Sequence, residues 1–300
     1  MQKYSVSVVI PTLNRDNFLL DAINDMLQQD YPDYEIIVVD QSNKTPEKIS
    51  ILVAQNPERI KYYKVGFRGL PEARNFGWQH SAKDIILYID DDIRANPQLI
   101  SEHVKSYTDA SIALVGGGID EPNLQTKQYN SQVGGFNYWT CTPYRGFESK
   151  KNQEVMHVPG GNFSVKRLVM EVVGGVDENL NIGAALYEET DLSLRVLKAG
   201  YKAYFNANAR LTHLVAAEGG CRVADIPRYM WGLAHNRSIL IVRHLKTVHK
   251  LTAFARLLLL GLSYSKTARS VAPFLATLKG INAGFQTAKQ GVKTSNYVIH

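Results

Sequence analysis

Along the first two thirds of the chain, short runs of continuous apolar residues alternate with stretches in which apolar positions recur every three or four residues. The continuous runs at 4–10, 34–40, 60–65, 85–90 and 112–119 predict strands, rich in Val, Ile and Tyr. The periodic stretches at 16–28, 49–54, 71–80 and 188–197 predict helices, the last closed by Gly200. Two further strands are expected at 201–205 and 211–215. Strands apolar at nearly every position are covered on both faces, so the pattern predicts an α/β domain with a mostly parallel central sheet flanked by helices. From Ile226 onward the pattern is helical, with Arg228, Arg237 and Arg243 interleaved among apolar residues and a more apolar helix after Leu251.

Between 120 and 157 the periodicity fades and aromatic residues gather: Tyr129, Phe136, Tyr138, Trp139, Tyr144 and Phe147. Long irregular segments in compact domains often form binding loops or lids. Such rings either pack inside the protein or lie against the apolar face of a sugar. Pro159, Gly160, Gly161 and Asn162 then make a tight turn.

The strand at 85–90 runs into three consecutive carboxylates, Asp90, Asp91 and Asp92. Alone, the triplet is either a solvated acidic turn or a site that a divalent cation or basic side chains must neutralise. In parallel sheets ligands bind beyond the carboxyl ends of the strands. Asp40 ends a second strand at that same edge, and the loop Thr12-Leu13-Asn14-Arg15 opens there after the first, which favours a site. Neither GxGxxG nor a P-loop is present, which argues against a dinucleotide fold and a P-loop kinase. Glu188 and Glu189 open a helix, where they either serve chemistry or cap the helix dipole; Asp191 and Arg195 are four apart and can pair on its surface.

Composition adds little until charge is divided along the chain. At 300 residues, 45% hydrophobic and 21% charged, the sequence is that of a folded protein. Its two cysteines, Cys141 and Cys221, suggest neither a disulfide framework nor a zinc site. No signal peptide or membrane-spanning helix is expected, so a cytoplasmic location is the expectation. Of the net charge of +6, residues from 221 onward carry +11, twelve basic residues against Asp225, which leaves −5 for residues 1–220. Two regions are therefore expected, 1–220 and a basic helical region 221–300. The latter is either a cap packed on the sheet, with a possible dimer contact, or a surface for the inner face of an anionic membrane. No nucleic-acid motif accompanies the charge.

Taken in order, these residues resemble glycosyltransferase family 2, the inverting nucleotide-sugar enzymes of the GT-A fold, from Val6 to about Arg243. Val8 to Arg15, with Pro11, Thr12, Asn14 and Arg15, is similar to the family's opening strand and nucleotide loop. Ile36 to Asp40 resembles its second strand, whose aspartate contacts the base. Here Gln41-Ser42-Asn43 follows where Asp or Asn and Gly-Ser are usual. The segment Gly69 to Gly77, with Arg74 and Asn75, resembles the one along the donor's nucleoside and phosphates. Asp90-Asp91-Asp92 matches the DxD signature, and Gly160-Gly161-Asn162 the turn beside donor sugar and acceptor. Glu188 to Arg195 resembles the ED-x-[DE]-L-x-x-R helix start, with Glu189 where aspartate is usual, and His213 resembles the histidine that follows it.

The resemblance implies Mn²⁺ or Mg²⁺ held by Asp92, with Asp90 on the ribose or a metal-bound water and His213 either completing the coordination, touching the diphosphate or serving only as a core histidine. It further implies Glu189 as general base supported by Glu188, and Arg74 on phosphate unless it pairs with an acid. The implied partners are a UDP-, dTDP- or GDP-sugar and a glycan or lipid-linked acceptor, in cell-surface polysaccharide or lipid-linked glycan synthesis. Two rivals stand beside this reading. One is a non-catalytic nucleotide-sugar-binding or membrane-docking domain. The other is a sugar nucleotidyltransferase, which lacks support in a Gly-rich loop near the N-terminus.

Overall fold

Side chains alternate faces along each buried strand, and in this protein the alternation divides the interior in two. In the computed structural model, which describes residues 4–122, 132–183, 185–216 and 223–298, Val8, Ile10, Ile36, Val38 and Leu87 face one core. Val9, Ile37, Val39, Ile86 and Tyr88 face the other.

The elements follow as β1 (Val6–Thr12), α1 (Asp16–Leu27), β2 (Tyr34–Asp40), α2 (Glu47–Gln55), β3 (Ile60–Lys64), α3 (Leu70–Gln79) and β4 (Ile85–Ile89). Then come β5 (Ile93–Ala95), α4 (Leu99–Lys105), β6 (Ile112–Asp120), β7 (Phe136–Asn137), β8 (Thr142–Pro143), β9 (Gln153–Val155), β10 (Asn162–Lys166) and α5 (Arg167–Val173). A 3₁₀ turn at Glu178–Leu180 precedes α6 (Glu188–Lys198) and β11 (Lys202–His213), and α7 (Ile226–His244), α8 (Thr247–Ala268) and α9 (Ala272–Ala288) complete the chain.

Among the described residues the main sheet runs β3-β2-β1-β4-β10-β6-β11-β5, with β9 also on β11. β3, β2, β1 and β4 are mutually parallel, as are β6 and β11. β10 enters antiparallel between β4 and β6. This places the ends of β1, β2 and β4 and the start of β10 at one edge. The two closing strands expected at 201–205 and 211–215 form a single strand, β11, because a register shift between Asn206 and Arg210 lets it bulge and continue along β6. Its first half pairs with β9 and its second with β5.

A third core joins α7, α8 and α9 to the base of α6. Small residues bring these helices close: a Cβ on Gly280 would lie 2.4 Å from the Trp231 carbonyl, and one on Gly284 2.2 Å from that of His235. The basic region is fastened to the sheet domain. Arg243 pairs with Asp177, and His244 Nε2 lies 2.8 Å from Asp191 Oδ1. Asp191 also takes Arg195 at 2.7 Å, as its spacing predicted, but as a buried carboxylate rather than on the helix surface. After α9, the backbone N–H of Lys293 donates to Asp177 and the hydroxyl of Tyr297 to Glu178, strapping the last described residues along α3. The expected boundary between 220 and 221, together with Cys221 and Tyr129, lies outside the described residues. Phe136 and Phe147 are buried, so for these two rings packing prevails, whereas Trp139 is 53% exposed.

Candidate active site

β4 ends one residue before Asp90, and the three carboxylates diverge. Asp91 turns inward, accepting from Thr12 Oγ1 at 2.7 Å and Arg15 Nη1 at 2.9 Å. Burial pushes its carboxyl up to about 6 despite those two donors. These bonds tie the end of β4 to the end of β1 and the loop after it.

Asp90 and Asp92 turn the other way, toward His213 at the end of β11. One ligand atom from each of Asp90, Asp92 and His213 falls within 4.8 Å of the others. Burial works against the Asp92 charge, but His213, the Ala216 N–H and Arg15 hold its carboxyl down at about 2. Burial likewise opposes charge on His213, yet the Asp92 and Glu121 carboxylates beside it raise the imidazole to about 10. Asp92 Oδ1 is buried without a hydrogen-bond partner, 3.3 Å from His213 Nε2. Two carboxylates and an imidazole that gives up its proton on binding, here paired with Asp92, form a donor set that fits a hard divalent cation.

Across the site stands the N-terminus of α6. Glu188 is buried and ion-paired to Arg74, whose other terminal nitrogen donates to the Gly160 carbonyl at 2.7 Å and lies 3.9 Å from Asp90. Burial and repulsion by Glu189 push the Glu188 carboxyl up against the pull of Arg74. Glu189 is half-buried beside the Gly160–Gly161 turn. A Cβ built on Gly160 would lie 3.7 Å from its carboxylate, and one on Gly161 only 2.5 Å from Asp90 Oδ2. Gly161 therefore lets the turn pass close to Asp90, whereas a side-chain carbon at Gly160 would meet Glu189 only at ordinary van der Waals distance.

A family model described as "Glycosyl transferase family 2" matches residues 7–174, more than half of the chain. The protein belongs to glycosyl transferase family 2. Among curated relatives of this family 2 transferase is the glucosyl-dolichyl phosphate glucuronosyltransferase of Haloferax volcanii, 26% identical over 215 residues, 69% of this chain and 68% of that protein. The O-antigen biosynthesis protein RfbC of Myxococcus xanthus is 23% identical over 77% of this chain but only 19% of its own. The hyaluronan synthase of Streptococcus pyogenes is 27% identical over 41% of this chain and 31% of its own. The match thus spans less than a third of the length of the latter two. Among solved structures, a mannosyltransferase from Pyrobaculum calidifontis in complex with GDP-Man and Mn²⁺ superposes with a TM-score of 0.62 at 17% identity, covering 97% of this chain and 87% of that one. S. aureus TarS 1-349 in complex with UDP-GlcNAc superposes at 0.64 and 14% identity, covering 96% and 84%. These likenesses establish the GT-A fold.

Not every residue singled out in the transferase sequence faces the site. Asn162 is fully buried; its amide donates to the carbonyls of Gly118 and Ala209. Its Oδ1 must therefore accept from His103 Nε2, 2.9 Å away, so His103 Nδ1 accepts from the Ser164 hydroxyl at 3.0 Å. Asn75 is equally buried, bridging Val176 and Glu178 behind α3. Both side chains brace the walls of the site from outside it. Asp40 stands at the sheet edge beside Thr12 but is engaged by Lys64 at 2.8 Å, by Tyr62 and by the Ser42 N–H at 2.8 Å. Burial works against its charge, and these donors hold its carboxyl below the usual range. Pro11 is buried in β1, and Asn14 takes a left-handed φ of 56° with its N–H on Ser42 Oγ.

Two positions escaped the sequence. Glu121 lies 3.5 Å from His213 Nδ1, and it follows the strand at 112–119 at the same edge that marked Asp40 and Asp90. Asn236 on α7 donates to the carbonyls of Leu180 at 2.8 Å and Leu186 at 3.1 Å, fixing the loop that ends at Glu188. A lone asparagine in an amphipathic helix gives no such signal.

Proposed function

We propose that this chain transfers a sugar, with inversion at the anomeric carbon, from a UDP-, dTDP- or GDP-sugar to a hydroxyl of a glycan or lipid-linked acceptor. The carrying observation is the convergence of Asp90, Asp92 and His213 on one side of the Gly160–Gly161 turn, with Glu189 on the other. A donor bound between them would lie with its diphosphate toward the acids and its anomeric carbon toward Glu189. The Haloferax relative, named for a dolichyl phosphate substrate, supports the lipid-linked choice. The basic stretch after Asp225 favours an acceptor presented at an anionic membrane surface.

In this reading Glu189 takes the proton of the acceptor hydroxyl as its oxygen bonds to the anomeric carbon. The bond from that carbon to the phosphate oxygen breaks, and its electron pair leaves with the nucleoside diphosphate. Arg74 and Glu188 fix the turn on which the sugar rests. Asp92 and His213, with Asp90, are the residues that would hold Mn²⁺ or Mg²⁺. Such an ion, when bound, screens the charge that grows on the leaving diphosphate.

The test is nucleoside diphosphate release from UDP-, dTDP- and GDP-sugars, with and without Mn²⁺. Glu189→Gln is expected to lower turnover by about 10²–10⁴-fold, with donor affinity within about twofold of the parent. Asp92→Asn is expected to weaken Mn²⁺ binding in calorimetry. Near-parental turnover of E189Q overturns the base assignment, and a chain that binds donor but never releases nucleotide is a binding protein.

A further inference from the structure

α8 and α9 each have two apolar faces, and only one is used. Ala253, Leu257 and Gly261 of α8 are buried against the other helices, as are Thr277, Gly280 and Gly284 of α9. On the opposite side of α8, Val248, Leu251, Leu259 and Leu262 follow one another at spacings that keep them on a single stripe, and Leu251 is 72% exposed. α9 repeats the arrangement with Leu275, Leu278 and Phe285, preceded by Val271 at 71% exposed. No helix among the described residues is long and apolar enough to cross a membrane. Helices of this kind need a partner for the outer face that is apolar but not spanned.

Charge decides among partners. From Ile226 to the end the sequence contains no Asp or Glu, while Arg256 and Lys266 on α8, Lys279 on α9 and Lys289 just past its end are exposed beside the stripes. Two copies of such a face would bring like charges together. An anionic lipid surface complements them, and long basic side chains lie along apolar surface while keeping their charge at the headgroups. Trp139 extends the face. Its exposed ring packs edge-on against His249 of α8 at 4.5 Å, and its carbonyl accepts from Thr252 at 2.7 Å. An amphipathic indole suits the headgroup level.

We propose that the outer stripes of α8 and α9, with Trp139 at their margin, lie in the headgroup boundary of an anionic bilayer. The use of this surface rests on the transferase reading. α7 packs against α9 on one flank and holds the Leu180 and Cys141 carbonyls through Asn236 and Arg237 on the other, so the docked helices are joined to the loops around the candidate site.

The experiment is cosedimentation of the full chain with phosphatidylcholine vesicles and with vesicles also containing phosphatidylglycerol, at low and high salt. It uses no donor or acceptor, so its failure leaves sugar transfer standing, and failed transfer leaves the surface standing. Binding to the anionic vesicles, weakened by salt, is expected. The variant Leu251→Ser, Leu259→Ser, Leu275→Ser should reduce partitioning by about tenfold or more without lowering the melting temperature, because these side chains are exposed. Arg256→Gln with Lys279→Gln should weaken only the phosphatidylglycerol-dependent part. Parental partitioning of the serine variant overturns the proposal. So does a parent dimer in sedimentation equilibrium that the serine variant splits, since the face would then cover a second copy.

Discussion

Arg74 and Glu188, 114 residues apart, form an ion pair in which 2% and 3% of the side chains meet solvent. The guanidinium also holds the Gly160 carbonyl, so one arginine joins α3, the β10 turn and the start of α6. Removing one member of a buried pair strands the other without water. Arg74→Ala is therefore expected to destabilise the fold by about 3–5 kcal/mol in urea denaturation. Adding Glu188→Gln should restore part of that loss, and additive single effects would show that the pair is not coupled.

Asn236→Asp should impair catalysis as severely as Asn236→Ala, although aspartate has nearly the same shape. The loop carbonyls need donors, and a carboxylate offers none. His235 Nδ1, 2.8 Å from Asn236 Oδ1, fixes which way the amide points. Because Leu186 lies two residues before Glu188, both variants are expected to lower kcat by about 10- to 100-fold, with donor KM within about twofold. A change confined to donor KM would place the effect elsewhere.

Burial pushes the His103 imidazole down to about 4, against the hydrogen bond from it to Asn162. Between that value and the ordinary 6.5, the unfolded chain binds a proton that the folded chain refuses. Its stability contribution is thus present above the unfolded value and is lost as pH falls toward 4, by about 3 kcal/mol. Denaturation of parent and His103→Gln at neutral and acidic pH checks this. The variant should be weaker at neutral pH but lose less on acidification, and parallel pH profiles would refute it.

The strands of the parallel half were legible because burial on both faces leaves an unbroken apolar run. β10 was not, because its buried Asn162 and Ser164 interrupt the apolar run, and β5 was not, because three residues carry too little pattern. Two expected strands merged because periodicity cannot distinguish a bulge from a break. At the site, strand ends identified which acids share an edge, and Asp90, Asp92 and His213 do converge. The direction of an amide is not written in the order of residues. Asn75 and Asn162 stand in the right segments yet point into the protein, and only their partners reveal it.

The strap after α9 has a consequence for how the protein comes to be made. The amide of Tyr297 donates to the Gln79 side chain across 218 residues of chain. α3, which carries Arg74, therefore emerges from the ribosome long before the segment that completes its outer face. At synthesis rates of about 5–20 residues per second, that flank waits on the order of ten seconds or more, unpaired, for its cover. What waits there is apolar as well as polar, since the Tyr297 ring closes over Phe67 and Phe76.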